Sequence, residues 1–135
     1  AMALGADAVL LCPRCCDPLY RKAIRTSLGG AFCVPFARVE NWPGGLGRLR
    51  DAGYQLVALD PSGESIAAAA RQGLPRRAAL ILGTEGAGLS AAAREQADLR
   101  LKIEMAPGMD SLNVATASGI ALHHFREALT PCGPS

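Results

Sequence analysis

Two stretches of this 135-residue chain carry residue types that could do chemistry. The first is Gly-Thr-Glu-Gly-Ala-Gly at 83–88, where three glycines surround one carboxylate, Glu85. It is not the G-x-G-x-x-G dinucleotide fingerprint, and no Gly-Lys-Ser/Thr follows to make a phosphate-cradling loop. Glu85 would repel a pyrophosphate, so the glycines suit a main chain that approaches a ligand carrying positive charge or hydroxyls. A Gly-rich turn between strand and helix is the plainer alternative. The second stretch is residues 103–113, IEMAPGMDSLN. Pro107 fixes one φ and Gly108 frees the next, which holds the backbone in an unusual course. Asp110 and Ser111 are good N-cap types for a following helix. The Asn113 amide can donate and accept. Ser111 and Asn113 are uncharged, so they can orient a hydroxyl or a carboxylate but cannot act as strong bases. A strand-to-helix turn with ordinary capping would explain this loop by itself.

Other reactive side chains fit less well. His123 and His124 lie about 16 Å along a helix from Asn113, too far to share its pocket within one chain, and so read as packing or interface residues. Cys12, Cys15 and Cys16 are spaced C-x2-C-C, but no second C-x2-C or H-x3-H follows, and Cys33 and Cys132 are distant. With an odd count of five cysteines, reduced thiols of a cytoplasmic protein are expected rather than a metal site. Arg14, Arg21, Lys22 and Arg25 cluster in sequence; such a patch suits phosphate, or is a solvated helix face.

These residues need elements to position them. Residues 8–11 read as a buried strand, 19–28 as a helix opened by Asp17-Pro18, and 34–39 as a second strand. A helix over 42–52 is weakened by Pro43, Gly44 and Gly45. Residues 54–59 form a third strand that ends in the turn 60–63, and 64–72 an Ala-rich helix. Residues 78–82 form a fourth strand that runs into Gly83, and Ser90 caps a short helix to about 96. Residues 99–103 are a fifth strand, 114–127 the last helix, and 130–135 a Pro/Gly tail expected to fray. Strands alternating with helices give one α/β domain over 1–129 with a mostly parallel sheet, whose ligands bind at the carboxyl ends of strands. Half the residues are apolar and the net charge is +2, too small to imply nucleic acid by itself. No apolar run approaches the ~20 residues of a membrane span, and no signal-peptide pattern opens the chain. The small residues Ala115, Ala117, Ser118, Gly119 and Ala121 let the last helix lie close to a sheet or to a second chain.

The stretches ILGTEGAGLS (81–90) and IEMAPGMDSLNVATASGIAL (103–122) resemble the second and third motifs of the SpoU, or TrmH-like, RNA methyltransferases of the SPOUT superfamily. DPLYRKAIRTSLGGAFCVPF (17–36) resembles the family's early R-x-S-x-G…P segment through Arg25, Ser27, Gly29 and Pro35. The resemblance implies a deep carboxyl-terminal trefoil knot, an exception to un-knotted topology. It implies S-adenosylmethionine bound among the knot loops, with backbone near Ile103, Met105 and Leu112 holding the adenine and Gly83 and Gly86 admitting the main chain. Asn113, Ser111 and Glu85 then become the catalytic candidates, and Arg21, Arg25 and Ser27 the RNA-binding ones. The implied reaction is metal-free methyl transfer to a ribose 2′-hydroxyl of rRNA or tRNA by a homodimer.

Two departures stand out. Glu104 occupies a position where the family has Pro. The family's first motif, an Asn, a Gly and an RNA-activating Arg on a strand–helix unit, would precede Ala1, so the chain resembles a catalytic domain cut from a longer enzyme. Two other readings stay open: a non-catalytic domain that keeps cofactor binding and dimerisation, and a nucleotide-binding α/β domain of another family.

Overall fold

The computed structural model describes residues 1–84, 86–109 and 111–129. Its regular elements are β1 (Val9–Leu11), α1 (Arg21–Thr26), β2 (Phe36–Arg38), α2 (Gly47–Asp51), β3 (Gln55–Ser65), α3 (Ile66–Gln72), β4 (Ala78–Ile81), α4 (Ala91–Glu95), β5 (Leu99–Lys102) and α5 (Val114–Leu129). All strand pairing between these elements is parallel, and the α/β reading holds. The hydrogen-bonded ladders nevertheless form two sheets rather than one. β1 pairs with β2, and β3 lies between β4 and β5.

Strand β3 is central because it is apolar on both faces. Leu56, Val57 and Ala58 are all fully buried, as a continuous apolar run between two helical layers requires. The period of two sends Val57 to one side, where Ile66 and Ala69 of α3, Leu101 of β5, and Ala121 and Phe125 of α5 meet it. Leu56 and Ala58 pack on the other side with Leu46, Ile81, Leu89 and Ala93. The β3–β5 edge is tied by Asp98, whose carboxylate accepts from the Leu56 amide at 2.8 Å and from Arg50 Nε at 3.0 Å.

Several elements differ from expectation for local reasons. The helix expected over 19–28 shortens to α1 because Asp17 closes a turn before it, its Oδ1 accepting from the Leu19 amide at 2.9 Å. Leu28 and Gly29, with φ of 50° and 78°, end it. The helix expected over 42–52 splits into a 3-10 turn (Gly44–Leu46) followed by α2, as the poor helix formers at 43–45 lead one to expect. The third strand runs past its expected end at 59. Pairing with β5 breaks after Leu59 and resumes at Glu64, and residues 60–63 loop out between. Gly63 makes the return possible: a Cβ there would sit 2.5 Å from the Arg100 carbonyl. Ser65 and Ser90 cap α3 and α4 by accepting from the Ala68 and Ala93 amides.

Helix α5 is capped by Asn113, whose Oδ1 accepts from the Ala115 amide at 2.9 Å and the Thr116 amide at 3.4 Å. That corrects the assignment of the cap to Asp110 or Ser111. Asp110 lies outside the described residues, as do Glu85 and the tail 130–135 with Cys132.

Candidate functional site

The carboxyl ends of β3, β4 and β5 and the start of α5 enclose a cavity of about 580 Å³. That volume falls within the usual range for small-molecule sites, roughly 300–1,000 Å³. The residues singled out from the late motifs come together there: Gly83, Gly86, Ile103, Met105, Leu112, Ser111 and Asn113 all line it. Glu85 lies outside the described residues.

The glycine loop forms one wall. Thr84 and Gly88 exchange two backbone hydrogen bonds, of 3.1 and 3.0 Å, and close a tight hairpin. Gly83 is pressed against the returning strand of that hairpin. A Cβ on it would meet the Gly88 carbonyl carbon at 2.4 Å and the Leu89 amide nitrogen at 2.6 Å. At the hairpin tip, Gly86 lines the cavity with φ +84°, a conformation that favours glycine, and a Cβ there would meet no protein atom within 4 Å.

The cavity wall holds a buried carboxylate from the turn 60–63, a turn expected from the sequence at this carboxyl-end edge without a role for its side chain. Asp60, 5% exposed, accepts from the Ser62 amide at 2.8 Å and the Ser62 hydroxyl at 2.7 Å, both at Oδ1. Its Oδ2 lies 2.7 Å from Arg94 Nε, an ion-pair contact whose alignment falls outside hydrogen-bond geometry. Burial works against ionisation, but the two Ser62 bonds and the Arg94 and Arg100 charges outweigh it, and the carboxyl is held below its ordinary range. A carboxylate of lowered pKa contributes stability that is complete above the unfolded-state value, ~3.9, and is lost as pH falls through the folded-state value. Denaturant titrations across acid pH will therefore show stability falling below about pH 4, and Asp60→Asn will flatten that limb. The available signal was Asp-Pro-Ser-Gly directly after an apolar strand. Its partner Arg94 is 34 positions later, a separation that local patterning does not report.

The remaining candidates lie elsewhere. Arg21 and Arg25, with Tyr20, Lys22 and Thr26, line an open surface hollow on α1. Ser27 does not face that hollow, because its hydroxyl donates to the Ile24 carbonyl and accepts from the Ala31 amide at the helix end. His123 and His124 do not line the cavity; His123 lies 3.4 Å from Glu127 on the surface of α5. Among the described residues no cluster of three or more His, Cys, Asp or Glu could hold a metal ion. No helix among them is long and apolar enough to cross a membrane.

Comparison with known proteins matches residues 1–123 to the SpoU rRNA Methylase family. An uncharacterized tRNA/rRNA methyltransferase of Mycobacterium tuberculosis is 43% identical over 140 aligned positions, covering 99% of this chain and 47% of that protein. The 23S rRNA (guanosine(2553)-2′-O)-methyltransferase RlmP of Bacillus subtilis is 35% identical, covering 93% of this chain and 50% of that protein. Among solved structures, the AdoMet-bound rRNA methyltransferase from Sinorhizobium meliloti superimposes with a TM-score of 0.82 at 30% identity, covering 95% of this chain and 48% of that one. The chain thus spans about half the length of the curated relatives it matches. With a match running from residue 1 to residue 123 and parallel α/β architecture of the same kind, the chain belongs to the SpoU rRNA methylase family.

Proposed function

We propose that this chain is the cofactor-binding part of an S-adenosylmethionine-dependent RNA methyltransferase acting on a ribose 2′-hydroxyl of rRNA or tRNA in the cytoplasm. The observation that carries the reading is the cavity of about 580 Å³ into which Gly83, Ile103, Met105, Leu112, Ser111 and Asn113 converge. The S. meliloti neighbour is described as AdoMet-bound, and the B. subtilis relative as a 2′-O-methyltransferase. The residues present fit such a cofactor. Gly83 and Gly86 line the cavity without side chains, and Ile103, Met105 and Leu112 supply apolar surface with backbone polar groups for an adenine. When bound, the cofactor supplies a methyl group on a sulfonium.

The chain's own part is positioning and exclusion of water. Asn113 and Ser111 stand at the mouth of α5, where uncharged donors and acceptors can orient the ribose hydroxyl or the cofactor carboxylate; Glu85 is assigned a polarising role. Arg21 and Arg25 are assigned to RNA phosphates, with Ser27 shaping the end of their helix. The proposed active protein is a homodimer with a carboxyl-terminal trefoil knot, joined to an upstream unit that brings the activating Arg. The exposed apolar residues near α1, with Leu28 93% and Phe32 68% exposed, support a partner surface there. Gly119 on α5 has open space around it, which leaves that face accessible to a second chain.

A second reading is favoured by one observation. Asp60, a carboxylate on the described cavity wall, is held by Ser62 and Arg94, and its lowered pKa makes it a weak proton acceptor. The chain by itself would then bind cofactor without catalysing transfer.

Titration calorimetry with S-adenosylhomocysteine tests the common core of both. Binding is expected near one ligand per chain, while a nicotinamide dinucleotide gives no heat. No heat and no thermal shift with millimolar S-adenosylhomocysteine would remove the cofactor assignment, and a preference for the dinucleotide would favour another nucleotide-binding family.

A further inference from the structure

The first cysteines of the chain occupy a turn that the methyltransferase reading does not use. β1 ends at Leu11, and the chain then reads Cys12-Pro13-Arg14-Cys15. The Cys15 amide donates to the Cys12 carbonyl at 3.0 Å and closes a four-residue turn. The turn brings Cys12 Sγ and Cys15 Sγ to 3.3 Å. A β-turn keeps its end Cα atoms under about 7 Å, close to the roughly 4.4–6.8 Å that a disulfide spans. Only a small side-chain rotation separates this contact from a bond of about 2.05 Å. Arg38 Nη1 donates to the Cys15 carbonyl at 3.1 Å and steadies the turn from the neighbouring strand β2. Both thiols are half-buried and both are free.

We propose that Cys12 and Cys15 form a reversible dithiol–disulfide site that exchanges with low-molecular-weight disulfides such as oxidised glutathione. The two sulfurs have different parts. The hydrogen bond from Cys15 stabilises a thiolate at Cys12 and, with Arg14 nearby, holds its pKa below the ordinary thiol value, whereas burial together with that same bond holds Cys15 above it. Cys12 is therefore the attacking sulfur. Its thiolate attacks one sulfur of oxidised glutathione, forming a mixed disulfide and releasing one glutathione thiolate, which takes up a proton. Cys15 then loses its proton and attacks Cys12 Sγ, forming the Cys12–Cys15 bond and releasing the second glutathione. One glutathione disulfide is reduced and one protein dithiol oxidised, with two electrons passed. The short ring restrains the unfolded chain least among disulfides, so the site responds to thiol redox state rather than stapling the fold.

The test uses the chain equilibrated in mixtures of reduced and oxidised glutathione, blocked with N-ethylmaleimide and digested with trypsin. Cleavage after Arg14 falls between the two cysteines, so peptides 1–14 and 15–21 stay joined only by a disulfide. The joined peptides are expected from oxidising mixtures in which the undigested chain runs as a monomer on a non-reducing gel, and dithiothreitol is expected to separate them. They should persist in Cys16→Ser, which leaves Cys15 as the only thiol of the second peptide, and fall severalfold in Cys15→Ser. Loss in Cys16→Ser with retention in Cys15→Ser would assign the partner to Cys16 and overturn the proposal. So would a covalent dimer, or glutathione adducts on Cys16 and Cys33 with no joined peptides in any mixture.

Discussion

Gly83→Ala should abolish S-adenosylhomocysteine binding and lower the stability of the chain. The added Cβ would lie 2.4 Å from the Gly88 carbonyl carbon and 2.7 Å from the Gly88 Cα, both backbone atoms of a hairpin closed by two hydrogen bonds. No rotamer relieves that overlap, because the intruding atom is the first of the side chain. The hairpin must open or the end of β4 must shift, at a cost on the order of 2 kcal/mol by analogy with overpacked cores. Either movement displaces the wall of the cavity. Gly86→Ala, at the cavity-lining tip of the same hairpin, is the comparison for the stability effect. Its site has φ +84° and open space, so the change costs about 1 kcal/mol of backbone strain without driving an atom into the wall. Calorimetry and denaturant unfolding on both variants read the difference. Unimpaired binding by Gly83→Ala would show that this wall does not contact the cofactor.

Asn113→Ala in the full-length enzyme should reduce methyl transfer on the order of a hundredfold, the typical loss when one positioned donor leaves a preorganised site. It should also destabilise the chain, because Asn113 Oδ1 accepts from the Ala115 and Thr116 amides, and losing a cap costs about 1 kcal/mol. The two effects separate in Asn113→Ser. A serine oxygen can cap a helix nearly as well as asparagine, but it lacks the amide nitrogen. Recovered stability with a rate still low would assign the amide to positioning of the reacting groups. Full recovery of both would make Asn113 a cap and nothing more. Cofactor affinity should change little in either variant, because the neighbouring Leu112 offers its backbone, which survives any side-chain change. Single-turnover rates and S-adenosylhomocysteine titrations on the same preparations give the split.

The sequence by itself determined the order of elements and the convergence of two loops, because both rest on local chemistry. The continuous apolar run 78–82 and the alternating Leu-Arg-Leu-Lys-Ile of 99–103 read as strands, Ser90 is a capping type before an Ala-rich segment, and in a parallel sheet the loops after consecutive strands share an edge. Those rules alone place Gly83, Ile103 and Asn113 near one another. The tertiary structure decided what depends on atoms far apart in the chain. Asp60 pairs directly with Arg94 at the cavity wall, and Gly63 is required only because Arg100 of β5 passes where a Cβ would be. The division of the strands into two sheets depends on which edges hydrogen-bond. The cap of α5 fell to Asn113, one residue before the helix begins. Several residues in that loop had suitable side chains, and only the backbone path selects which oxygen reaches the free amides. Composition and spacing carry no record of such contacts, since each is set by the approach of two segments whose sequences are individually ordinary.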